Sequence, residues 1–156
     1  MSAANRQARA LAFLRIAVGL LFLIFAQYKL TSTRFIWGGM ASYISRFIDH
    51  GCYPFMRHFL KDIILPHAVF FGYVVGVVEL LIGISFLLGL WVRPASVLAI
   101  LFLLNMLLAT WWEPGHGVPI WRYVGAELDH LPLLLLCIIF FAADAGRVWG
   151  LDGRRA

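Results

Sequence analysis

Between Ile63 and Val92 only one side chain, Glu79, is formally charged, in thirty positions filled mostly by Val, Leu, Ile, Phe and Gly. About twenty such residues cross the hydrocarbon core of a bilayer, so this stretch reads as a membrane-spanning helix with Glu79 near its middle. A carboxylate at that depth costs roughly 2.5–3.5 kcal/mol on insertion scales. A chain keeps such a group where it is neutral, paired or useful.

The rest of the sequence agrees with a membrane fold. It is 62% hydrophobic and 13% charged over 156 residues, with a mean hydropathy of +0.86, against about 25% charge in a soluble domain. The length suits one domain. The net charge of +5 does not point to nucleic acid, because the basic residues flank apolar runs as membrane anchors do. Cys52 and Cys137 form no CxxC pair, so a thiol relay is not supported. No HExxH, P-loop or G-x-S-x-G pattern occurs.

Four spans are expected, at about 10–30, 67–90, 94–112 and 129–149, forming an all-α four-transmembrane-helix bundle. Arg6 and Arg9 before the first apolar run resemble a signal peptide, but no small-residue cleavage site follows, and the segment reads as a retained span. Pro94 and Pro132 fit first helical turns, and Asp129 fits an N-cap. Two short amphipathic helices are expected in the first long connection, at about 34–49 and 55–65, lying on the membrane surface or capping the bundle. Ile36, Met40, Tyr43, Ile44 and Phe47 share one face of the first; Phe55, Phe59, Leu60 and Ile63 share one face of the second. The basic residues are denser on the side of the termini, which predicts cytoplasmic termini in a bacterial-type inner membrane.

Depth counted at about 1.5 Å per residue sets Glu79 level with Asn105 on the neighbouring span and predicts a hydrogen bond between them. The same count predicts an ion pair between Arg15 and Asp144, although Arg15 could instead reach Glu79. Gly72, Gly76, Glu79 and Gly83 form one helical stripe. It includes a GxxxG unit that lets backbones approach closely, so Glu79 faces other helices. It is then either a structural acid or, with Asp144, a handler of protons.

At the outer ends of the spans, Gln27, Lys29, His67 and His130 fall near Trp111 and Trp112. Aromatic walls with a few convergent polar groups make a ligand pocket, and a quinone head group suits it, since its carbonyls need donors and its ring needs flat partners. The bland alternative is an ordinary aromatic belt with interfacial histidines. Axial haem ligation by His67 and His130 is a weaker reading, and no motif calls for haem or pigment.

The segments LRIAVGLLFLIFAQYKL, GYVVGVVELLIGISFLLGLWVRPAS and FAADAGRVWGLDGRR resemble the opening, central stretch and closing signature of the DoxX/DoxD family of small membrane proteins. The resemblance implies a four-helix membrane bundle, with Arg15, Lys29, Glu79 and Arg147 at the family's polar positions. Its DoxD branch implies the small subunit of a thiosulfate:quinone oxidoreductase; the long 31–66 connection is less typical. Two functions stay open: a quinone-linked redox subunit working with a partner that carries electrons, and a non-catalytic accessory subunit of a larger respiratory or photosynthetic complex.

Overall fold

The computed structural model describes residues 2–110 and 130–154. Among them the chain is helical, without strands. Helix α1 runs Ala3–Thr31, capped by Ser2, whose Oγ accepts from the Asn5 N–H at 3.3 Å. A π-helical turn, Phe35–Gly39, leads into α2, Met40–His50. Helix α3, Pro54–Phe59, passes through a π turn (Leu60–Ile64) and a 3₁₀ turn (Leu65–His67) into α4, Ala68–Leu88. Helix α5 is Val92–Thr110 and α6 is His130–Ala142. The segments Ala3–Thr31, Pro54–Leu88 and Val92–Thr110 are long and apolar enough to cross a membrane, and His130–Ala142 is a shorter apolar helix.

Helix α1 packs antiparallel on α4, and α5 on α6. Glycine sets the first of these contacts. A Cβ on Gly19 would meet the Leu87 N at 2.8 Å, and one on Gly76 would meet the Leu30 Cγ at 2.8 Å. The expected stripe is therefore real: Gly72, Gly76, Glu79 and Gly83 are all buried. The main core joins Val18, Phe22, Ile82, Phe86, Leu103 and Phe140. Phe86 meets Phe22 and Phe140 edge to face, with centroids 6.3 and 5.5 Å apart, geometry that aromatic rings favour.

Helix α2 caps the bundle. Its start lies against Gly72 of α4 through Met40, and just beyond its end the Tyr53 N–H donates to the Leu108 carbonyl of α5 at 3.3 Å. Ile36, Met40 and Ile44 face inward as expected, while Tyr43 is 40% exposed. In the α3 region Leu60 is buried as expected, but the other three residues of the expected face are not. Met56, Leu60 and Ile64 are buried with Cys52 and Ala109, and Phe55, Phe59 and Ile63 are exposed. Met56 already faces inward within the regular turn Pro54–Phe59, before the π turn at Leu60–Ile64 begins.

The opposite end is closed by the C-terminal segment, and here the expected Arg15–Asp144 pair is absent. Helix α6 stops at Ala142. Asp144 adopts a left-handed φ of 52°, and the Ala145 N–H donates to the Phe140 carbonyl at 3.2 Å, which makes a Schellman-type stop. Asp144 then pairs with Arg147 at 2.8 Å. Arg15, fully buried, donates through Nη2 to the Trp149 carbonyl at 3.0 Å. The Asp152 carboxylate accepts from the Trp91 and Val92 N–H groups at 2.8 and 2.9 Å. It thereby supplies charge and acceptors where the first amides of α5 have no helical partner. Leu151 and Asp152 N–H groups donate to the carbonyls of Leu88 and Gly89. A Cβ on Gly150 would lie 2.6 Å from Arg15 Nη1 and 2.9 Å from the Gly89 carbonyl oxygen. The AGRVWGLD run is thus a clasp that holds the α4–α5 turn and Arg15 together.

Candidate functional site

The antiparallel register of α1 and α4 sets Leu30 against Gly76 and Leu23 against Gly83, which brings Lys29 beside Glu79. The Lys29 ammonium donates to Glu79 Oε1. The lysine side chain is 23% exposed and the carboxylate 4%. Glu79 is therefore paired across α1 and α4, and not with Asn105 as its depth on the neighbouring span suggested. Its second oxygen, Oε2, is buried with no hydrogen-bond partner among the described residues. A buried carboxylate that has lost its water needs its lone pairs filled, so an unfilled one marks a place for a donor.

This ion pair lies on the wall of a cavity of about 330 Å³, between Phe22 and Phe25 of α1, Phe102, Leu103 and Met106 of α5, and His130 and Leu133 of α6. Tyr43 of α2 completes it. An adjoining space of about 210 Å³ shares Lys29, Tyr43, Met106 and His130 and reaches Tyr28, Val75 and Thr110. The groups that matter come from four helices. Cation, carboxylate, imidazole and phenol converge on an otherwise apolar chamber, the arrangement typical of small-molecule sites.

Of the residues expected at the outer pocket, Lys29 and His130 meet there. Gln27 does not: it is exposed and donates to the Thr31 hydroxyl at 3.0 Å. His67, at the N-terminal end of α4, is exposed and lines neither cavity, so the two histidines do not converge as haem ligands would. Trp111 and Trp112 lie outside the described residues, as does Asp129. Asp144 borders a separate cavity with Ala4, Gln7 and Arg147, away from Glu79. Among the described residues no group of three or more His, Cys, Asp or Glu side chains is placed to hold a metal ion.

The sequence places Lys29 in the outer pocket but not against Glu79, and Tyr43 only on an amphipathic face. The usable signal was that an unpaired carboxylate in a span needs a cation, and Lys29 and Arg15 are the two within span one.

No curated protein and no solved structure matches the chain. The DoxX family model matches residues 10–112, which takes in most of α1, the capping helices, α4, Glu79 and all of α5. The protein is a multi-pass membrane protein that belongs to the DoxX family.

Proposed function

We propose that this chain is the quinone-binding membrane subunit of a redox system. It would reside in a bacterial-type inner membrane with cytoplasmic termini, and act in the manner of a thiosulfate:quinone oxidoreductase small subunit. The observation that carries this reading is the convergence of Lys29, Glu79 and His130 on one apolar-walled cavity. Its volume of about 330 Å³ falls at the lower end of the ~300–1,000 Å³ range of ligand pockets. Glu79 Oε2, buried and unpartnered, is an acceptor that a quinol hydroxyl would satisfy.

When bound, a quinone supplies the two-electron chemistry, accepting two electrons from a partner subunit and two protons to become a quinol. The chain's residues bind, orient and deliver protons. Lys29 has three donor hydrogens; one goes to Glu79 Oε1 and the others are available to a carbonyl oxygen. His130, across the cavity on α6, is the second donor. Glu79 Oε2 is the acceptor through which a proton passes to or from a ring oxygen. Phe22, Phe25, Phe102 and Leu103 give the site apolar walls, which lower the local dielectric so that these charges stabilise negative charge developing on the ring oxygens more strongly than they would in bulk water.

The test is titration of the detergent-purified chain with a short-chain benzoquinone, followed by calorimetry. Wild type should bind it, with Lys29→Met and His130→Ala each weaker by about tenfold, about 1.4 kcal/mol. No binding in wild type, with the same substitutions impairing only co-purification of partner subunits, would establish the accessory-subunit function instead.

A further inference from the structure

The ring site has a continuation that its polar end does not use. Beneath α2 lies a slot of about 150 Å³ walled by Met40, Ile44 and Phe47 of α2, Val75 of α4, and Phe102 and Ala109 of α5, with Asn105 the one polar side chain lining it among the described residues. It shares Phe102 and Met106 with the Lys29–Glu79 cavity and Met40, Ile44, Phe47 and Val75 with the adjoining space. The three spaces therefore lie side by side behind shared walls, polar at the Lys29 end and apolar under α2. A chamber graded in this way fits a ligand graded in the same way.

Resting on the quinone reading above, we infer that the ligand is amphipathic and that the first part of its apolar tail lies under α2, between Phe47, Val75 and Ala109. The slot holds about one isoprene unit at ~30 Å³ for each water-sized group. Longer tails continue past Phe59 and Phe71, which line the same slot and stand on the side of the partly exposed α3 region. A tail in lipid is already out of water, so the slot gives it packing contacts and little hydrophobic gain. It fixes direction: with the tail held under α2, the ring is aimed at Lys29 and Glu79.

The alternative route is the seam between α1 and α6, past Phe25 and Leu133. Photolabelling separates the two. Purified full-length chain is incubated with a benzoquinone carrying a diazirine in its first isoprene unit, irradiated and mapped by mass spectrometry, with excess unlabelled quinone as competitor. Competable label concentrated at least tenfold in residues 40–47 and 102–109 over residues 20–25 and 131–135 supports the assignment. In Ala109→Phe, and independently in Val75→Phe should the first variant fail to fold, that label should fall by about tenfold. Competable label on 20–25 and 131–135 overturns the tail assignment while leaving the ring site standing. An absence of any competable label overturns the ring site and the tail assignment together.

Discussion

Removing Lys29 should damage the fold more than removing Glu79, and removing both should damage it less than removing Lys29 alone. The asymmetry follows from exposure, 4% for the carboxylate and 23% for the lysine side chain. Lys29→Met leaves a charge enclosed by apolar helices, and breaking a buried pair in this way costs roughly 3–5 kcal/mol. Glu79→Leu leaves a cation on a flexible stem that can swing toward the polar end of its helix, so the loss is about 1–2 kcal/mol. In the double variant no charge remains to desolvate, and stability should return to within about 1 kcal/mol of wild type. For a chain of this size 1 kcal/mol shifts Tm by about 2–4 °C. Lys29→Met should therefore melt at least 6 °C lower in detergent, with the double variant recovering most of that loss. Purely additive shifts would refute the ion pair as the reason Glu79 is tolerated in its span.

Other outcomes follow from the cap and the clasp. Asp152→Asn loses the charge that two N–H groups at the start of α5 point to and should cost about 1–2 kcal/mol in thermal unfolding. Gly150→Ala, with no room beside Arg15 and Gly89, should be at least as harmful; tolerance of both would dismiss the clasp. In intact cells a cysteine at Ser42, which is exposed, should react with an impermeant thiol reagent from outside. One at Ile44, 4% exposed, should not, and reversed or equal labelling would overturn either the cap or the orientation. His67→Ala should leave quinone affinity unchanged, because His67 lines none of the adjoining spaces. A tenfold loss there would return it to the site.

The apolar runs and the glycine stripe were legible in the sequence because each depends on a single helix. Gly72, Gly76, Glu79 and Gly83 lie on one face by periodicity alone, and that face is buried. The partner of Glu79 was not legible, because partners depend on how far one helix slides past another. Counting depth from each span's own inner end assumes level ends. Instead Gly19 sits against Leu87 and Arg15 against Gly89, so α1 runs on past the α4–α5 turn by roughly 18 Å, at ~1.5 Å per residue for residues 3–14. That offset lowers Lys29 to the level of Glu79 and sets Arg15 beside the turn instead of beside Asp144. The end of α6 was hidden for a related reason: AAD continues an apolar helix as naturally as it ends one. Only the docked clasp, with Asp144 in the left-handed region, decides between them. The place of His130 beside Lys29 was legible and that of Tyr43 was not, since Tyr43 reaches the cavity only because α2 lies across the bundle between Gly72 and the Tyr53–Leu108 contact.

The central claim is that Lys29, Glu79 and His130 enclose a quinone, and the most direct measurement is the quinone content of gently purified protein. Solvent extraction and chromatography should recover close to one quinone per wild-type chain, and well under half of that from Lys29→Met and from His130→Ala in the folded fraction. A wild-type chain that retains no more quinone than the detergent blank, while folded and at full helical content, would contradict the account.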